Sequence, residues 1–274
     1  MKAACTICPH QCGLDPGQTG LCGARQNIEG KVISENYGKT TSIALDPVEK
    51  KPFRMFHPGS KILSTGSYGC NLHCPFCQNH TISMPTGTPD TFDVTPEALV
   101  KKALSLKDLD NIGIAFTYNE PIVGYEYVLD CAKLAREEGL KTAMVTNGYI
   151  NEGPLAELLP HIDAMNIDVK GFRADFYKQL GGDLEVVLHT VSLAVKKTHV
   201  EITALIIPGE NDSPGEMLAL SQWLSKIDNE IPLHISRFFP RHKYADKAPT
   251  PVDTIDGLVS VAKRFLRYVY AGNR

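Results

Sequence analysis

The feature that most constrains this chain is one short loop, Cys70-Asn71-Leu72-His73-Cys74-Pro75-Phe76-Cys77, just after the apolar run Lys61-Ile62-Leu63-Ser64-Thr65. Its thiols are spaced C-x3-C-x2-C, which lets a short loop wrap three corners of a four-iron, four-sulfur cube. No fourth cysteine lies nearby, so one iron would stay open to substrate or cofactor. A closed four-thiolate site mainly transfers electrons or holds structure. Phe76 would shield the cluster from water and so affect its potential. The competing reading is a structural zinc held by Cys70, Cys74 and Cys77, with His73 or His80 as fourth ligand. Such sites usually divide their ligands into two separated pairs. Here all three thiols share a loop, which favours the cube.

The remaining cysteines narrow the setting. Of eight, seven fall in two clusters with ligand-like spacing. The first cluster is Cys5-Thr6-Ile7-Cys8-Pro9-His10-Gln11-Cys12, followed by Cys22 within Gly20-Leu21-Cys22-Gly23. Four thiols among glycines and prolines make a knuckle too small for a core, which a metal centre would staple. Zinc, a single iron or a second iron–sulfur cluster all satisfy this spacing. In a reducing compartment the eight cysteines are poor disulfide candidates, and metal binding is the better reading than free or disulfide-bonded thiols. The sequence shows no charged-then-apolar leader and no membrane-length apolar run, so a cytoplasmic location is expected. Net charge is −3, without a lysine or arginine block, and gives no electrostatic case for nucleic acid or an anionic membrane.

A length of 274 residues fits one large domain with a small appendage. Residues 1–60 are expected to form the knuckle, a hairpin turning near Asn27-Ile28-Glu29-Gly30, and a linker. The charged stretch Asp46-Pro47-Val48-Glu49-Lys50-Lys51-Pro52 reads as solvated linker. Residues 61–274 are expected to form the main domain. Apolar, β-rich runs recur at 62–65, 112–117, 142–146, 164–169, 200–207 and 233–239. Helix-like segments separate them. Thr95 caps one that opens at Pro96, 125–138 carries Cys131 on its apolar side, and Ser213-Pro214 starts another whose Trp223 is a packing residue. A last helix is expected over 253–268. This alternation predicts an α/β fold with a parallel sheet buried on both faces. It leaves an open sheet and a partial barrel undistinguished.

In such folds ligands sit at the carboxyl ends of the strands. Those ends read Gly69-Cys70, Thr117-Tyr118-Asn119-Glu120-Pro121, Thr146-Asn147-Gly148-Tyr149, Asn166-Ile167-Asp168-Val169-Lys170, Pro208-Gly209-Glu210-Asn211-Asp212 and Arg237-Phe238-Phe239-Pro240-Arg241-His242. Nearly every strand finishes in polar residues or glycine. Each piece alone has an ordinary explanation as turn or cap chemistry, and their convergence is the stronger signal.

The cysteine loop resembles the radical S-adenosylmethionine (SAM) superfamily. The order of the motifs resembles its glycyl-radical-enzyme activase group, of which pyruvate formate-lyase activating enzyme is the best-known member. Cys5-Thr6-Ile7-Cys8-Pro9-His10, the 46–52 stretch and Val269-Tyr270-Ala271-Gly272-Asn273 look most like the AmmeMemoRadiSam branch. The resemblance implies a partial (β/α)6 TIM-like barrel with a cysteine-rich appendage and an active site at its open upper edge. It implies that the open iron chelates SAM and that the cluster reductively cleaves it to a 5′-deoxyadenosyl radical. Hydrogen is then abstracted from a substrate, a protein glycine in activases; a small molecule or another macromolecule is the alternative. A non-catalytic metal-binding protein would leave Glu120, Asp168 and Lys170 without a shared purpose.

By the same resemblance, Asn119 and Glu120 stand at a motif that binds the SAM amino group. The residues alone leave Glu120 as either an anion for an ammonium or a helix-start carboxylate. Asp168 and Lys170 stand at a motif near the SAM carboxylate, with Thr146 and Asn147 in the cofactor-binding set. Thr146, Asp168 and the Asn166 carbonyl match part of a monovalent-cation site, although Val145 replaces a carboxylate found there in the activase. The turn at Pro208-Gly209-Glu210-Asn211 resembles a segment beside the adenine, and His242 stands near a SAM-contacting histidine. A cysteine-bearing tail found in many members of the branch is not seen here, and no double CxxC insert follows Cys77. The implied electron donor is flavodoxin- or ferredoxin-like, and the enzyme is expected to be oxygen-sensitive.

Overall fold

The computed structural model describes residues 1–87 and 89–273. Its centre is a sheet of eight strands lying side by side in chain order: β1 (Ser42–Pro47), β2 (Lys61–Gly66), β3 (Asn111–Phe116), β4 (Lys141–Thr146), β5 (Ala164–Asp168), β6 (His199–Ile206), β7 (Leu233–Arg237) and β8 (Val269–Gly272). β1 runs antiparallel to β2, and every other neighbouring pair is parallel. The principal helices are α1 (Pro96–Leu104), α2 (Tyr125–Glu137), α3 (Glu152–Leu158), α4 (Ala174–Gln179), α5 (Leu184–Ala194), α6 (Pro214–Ile227) and α7 (Val252–Ala262). Strands in chain order step always the same way. Right-handed crossovers therefore put the helices on one face, and the twisted sheet curls with its other face concave. Among the described residues β1 and β8 do not pair, so the barrel is open.

Local sequence explains the element ends. The Thr95 hydroxyl accepts from Ala98 N at 3.2 Å, and Ser213 Oγ accepts from Glu216 N at 3.1 Å, with Pro96 and Pro214 in the first turns. The hairpin pairs Arg25–Ile28 with Lys31–Ser34 across Glu29 and Gly30, both at positive φ as a tight two-residue turn requires. All six expected strand regions are present. Two more strands extend the sheet: α7 stops at Ala262, and Val269–Gly272 becomes a parallel edge. At the other edge Ser42–Pro47 adds an antiparallel strand. Val269–Gly272 is only four residues long, and Ser42–Pro47 ends in Asp46-Pro47, so neither reads in the sequence as an apolar inner strand.

The two faces carry separate cores. Ile114, Met144, Met165 and Ile202 pack under the helices. On the opposite face Ala115, Ala143 and Ala164 form a row across adjacent strands, and these small side chains leave room for Val48, Phe53 and Phe56. The 46–52 stretch is thus no solvated linker. Val48 is fully buried, and Lys51 is buried with its ammonium 2.9 Å from Asp46 Oδ2, which also accepts from Tyr118 Oη at 3.1 Å. The segment turns inward because Val48, with Phe53 and Phe56 just after it, fills the concave face.

Buried Glu201 on β6 anchors this plug. Its carboxylate accepts from Arg54 N at 2.9 Å and Met55 N at 2.8 Å, and pairs with His199 at 2.9 Å and His234 at 2.6 Å. Burial opposes the charge, but the two histidines and the amides hold the carboxyl down at about 2. A depressed acid contributes stability above its unfolded pKa and loses it as pH falls through the folded one. Glu201→Gln is expected to lose about 1–2 kcal/mol at neutral pH. Urea titrations of both proteins should converge as pH drops from about 4.5 toward 2; a gap that persists at the acid end would remove Glu201 as the cause.

Candidate active site

The loop after β2 carries Cys70, Cys74 and Cys77, all free thiols. Gly69 makes its entry possible: φ is +91°, and a Cβ there would meet Cys22 O at 2.7 Å and Ala24 Cβ at 2.8 Å. Asn119 clamps the same entry. Its Oδ1 accepts from Ser67 N at 2.9 Å, and its Nδ2 donates to Tyr68 O at 3.0 Å and Gly69 O at 3.1 Å. Phe76 is buried against Phe176 and Tyr244, with ring centroids 6.3 and 6.1 Å away.

The neighbouring strand ends converge on this loop. Glu120, after β3, is 4% exposed and accepts from Thr146 Oγ1 at 2.7 Å, Asn147 N at 2.8 Å and Ile122 N at 3.2 Å. Burial pushes its carboxyl up to about 7 against those donors. Asn147, after β4, also points its Nδ2 to Cys70 Sγ at 3.7 Å and Asn71 Oδ1 at 2.9 Å. It thus joins the carboxylate to the cysteine loop. At the end of β5, Lys170 Nζ lies 2.7 Å from Asp168 Oδ2. Burial works against the Lys170 charge, yet Asp168 and the Cys74 thiol hold its pKa above the usual lysine value. Asn211 Nδ2 and the Tyr177 hydroxyl bind the Lys170 backbone, at 2.7 and 3.0 Å. His242, at positive φ, stacks on His80 with centroids 4.4 Å apart. The next residue donates from Lys243 N to Pro75 O at 2.9 Å, so this turn covers the cysteine loop.

The sequence-derived residues Cys70, Cys74, Cys77, Glu120, Thr146, Asn147, Asp168, Lys170 and His242 thus surround one end of the sheet. Asn119 is there too, with its side chain committed to the loop backbone. Asn71 and Tyr177 are additions. Asn71 lies inside the cysteine motif, whereas Tyr177 lies on α4 without any local signal. Thr146 spends its hydroxyl on Glu120, and Val145 pairs with Asn166 across the sheet.

These residues fit an iron–sulfur cluster. Burial raises the Cys70 thiol and pushes Cys74 up to about 12, so both need a nearby positive charge to ionise, which metal coordination supplies. Half-buried Lys170 favours the Cys74 thiolate, and Asn147 offers Cys70 a donor.

A family model for the radical SAM superfamily matches residues 65–220. The chain belongs to the radical SAM superfamily. A [4Fe–4S] cluster and SAM are the cofactors that membership implies. This radical SAM protein is 43% identical to an uncharacterised protein of Methanocaldococcus jannaschii, over 99% of this chain and 81% of the relative. It is 32% identical to the pyruvate formate-lyase-activating enzyme of Clostridium pasteurianum, over 59% of this chain and 68% of that enzyme. Its fold resembles a radical SAM methyltransferase from Sphaerobacter thermophilus, with a TM-score of 0.59 at 15% identity, over 79% of this chain and 67% of that one.

Proposed function

We propose that this radical SAM enzyme abstracts hydrogen from a glycine of a protein substrate, as a glycyl-radical-enzyme activase. The observation that carries the substrate class is the 32% identity to an activating enzyme, which spans 167 residues. Cys70, Cys74 and Cys77 would hold the cluster, which when bound would supply the electron for reductive cleavage of SAM. The chain's own residues then bind and orient. Glu120, once its carboxyl has lost its proton, takes the SAM ammonium, since it stands at a strand end beside the cysteine loop and accepts from Thr146, Asn147 and Ile122. Lys170, held by Asp168, takes the SAM carboxylate. Phe76 and the His80–His242 pair keep water from the thiols. Cys5, Cys8, Cys12 and Cys22 hold a second metal centre. The electron donor is flavodoxin- or ferredoxin-like, and the reducing cytoplasm suits eight free thiols. Among the described residues no helix is long and apolar enough to cross a membrane.

The open barrel edge supports a macromolecular substrate, because a flexible loop can enter it and place one Cα–H beside the adenosyl group. Reduced enzyme, SAM and soluble extract are incubated without oxygen, before and after removal of macromolecules by size filtration. Substrate-dependent 5′-deoxyadenosine is expected only with the macromolecular fraction, together with a glycyl-radical electron paramagnetic resonance signal. Activity that survives wholly in the small-molecule fraction would replace the protein substrate with a metabolite.

A further inference from the structure

A residue with a Cβ in the left-handed region is strained, and it persists there only where its surroundings hold it. Tyr118, after β3 and before Glu120, has a φ of +73°, a value that bulky aromatic residues rarely adopt. Asn119 N donates back to Thr117 O at 3.0 Å, so Tyr118 is the centre of the rare, strained γ-turn of positive φ. Its side chain is gripped on several sides. Ser64 of β2 pairs with Ala115 of the alanine row, so Gly66, two residues on, also faces the concave side. The Tyr118 ring lies on Gly66, where a Cβ would meet Tyr118 Cβ and Cδ2 at 2.8 Å. The Lys51 ammonium sits 4.5 Å from the ring centroid. The hydroxyl donates to Asp46 Oδ2 at 3.1 Å, and Lys51 holds that carboxylate at 2.9 Å. Burial and the Asp46 charge push the phenol up to about 12, so it stays a donor at neutral pH. The backbone is held as well: Asn79, just beyond Cys77, donates from Nδ2 to Tyr118 O at 2.7 Å.

The next residues in the chain give the turn a task. Asn119 clamps the entry to the cysteine loop, and Glu120 N donates to Gly69 O at 3.3 Å. A relaxed residue 118, at negative φ, would redirect the chain and break both arrangements. We infer that Tyr118 is a positioning residue for SAM: Asp46 and Lys51 hold its ring on Gly66, and the ring holds the γ-turn that sets Asn119 and Glu120 beside the cysteine loop. The charged stretch at 46–52 thereby reaches the cofactor site through one aromatic side chain. The task of the turn rests on the reading that Glu120 takes the SAM ammonium; the anchoring of the turn does not.

The test uses the full chain, reconstituted anaerobically with iron and sulfide, and compares three substitutions. Tyr118→Ala loses the anchor and keeps a Cβ at positive φ. Its SAM affinity, measured by calorimetry, should fall about fivefold or more. Hydrogen exchange in the absence of SAM should quicken several-fold at the Asn119 and Glu120 amides. Tyr118→Gly loses the same anchor, but glycine adopts positive φ without strain. Its SAM affinity should therefore lie closer to wild type than that of Tyr118→Ala, although glycine removes more of the side chain. Tyr118→Phe loses only the bond to Asp46 and should fall between wild type and Tyr118→Ala in both readings. Wild-type affinity and exchange in Tyr118→Ala overturn the positioning role. Equal losses in the alanine and glycine variants overturn the turn as its cause, because a ring that merely fills space would not separate them. A Tyr118→Phe that matches wild type in both readings overturns the part played by Asp46. Because exchange is read without SAM, failure of the anchored turn is distinct from failure of the Glu120 reading, which Glu120→Gln tests by itself.

Discussion

Alanine at Cys70, Cys74 or Cys77 is expected to abolish SAM cleavage while the eight-stranded sheet still folds. Three thiolates are the minimum that anchors a cube and leaves one iron open, so losing any one frees a second corner. The fold does not depend on them to the same degree. All three thiols lie in the loop after β2 rather than in the sheet, and the loop is held by groups that the substitutions keep. These are the Asn119 bonds to Ser67, Tyr68 and Gly69, and the contact from His73 N to Leu180 O at 2.9 Å. Circular dichroism should therefore show wild-type secondary structure in each variant. Mass spectrometry of the reduced protein with SAM should find 5′-deoxyadenosine at background. If all three variants still produce it, these cysteines are not the cluster ligands.

Glu120→Gln is expected to weaken SAM binding by about tenfold or more, with normal iron content. A charge-assisted hydrogen bond from the SAM ammonium is worth roughly 1.5–3 kcal/mol. Glutamine keeps the shape but loses the charge, and one of its amide donors must face Thr146 Oγ1 or Asn147 N, both of which now donate to the carboxylate. Burial sets the carboxyl near 7, so in the wild type the proton must leave before the ammonium can pair. SAM affinity should fall as pH drops below about 7 in the wild type and stay flat across that range in Glu120→Gln. Asp168→Asn should also weaken binding, because it frees the Lys170 ammonium that Asp168 holds at 2.7 Å. Calorimetric titration from pH 6 to 8, at about half-unit steps, reads all three. Unchanged affinity in both variants would make these carboxylates structural.

The ordering of cysteines along one loop, the caps at Thr95 and Ser213, the Glu29-Gly30 turn and the alternation of apolar strands with helices are local facts. Their physics acts over a few residues, so the thiol loop, the six inner strands and the polar strand ends were legible in the sequence alone. The alternation did not separate an open sheet from a partial barrel, and the open barrel follows only from the strands pairing in chain order, which the tertiary structure decides. What only the tertiary structure decided depends on residues far apart in the chain. Arg25 meets Glu126 across 101 positions, and Glu201 meets Arg54 across 147, and no local pattern marks either pair. Buried Lys51 and its partner Asp46 read as solvated charge because burial is set by Phe53 and Phe56 filling an alanine row on three other strands. Val269–Gly272 becomes a strand only because the β7 edge is there to pair with it. Proximity of Cys22 to Cys70 belongs to the same class: a hydrogen bond between two loops exists only after the sheet has brought them together.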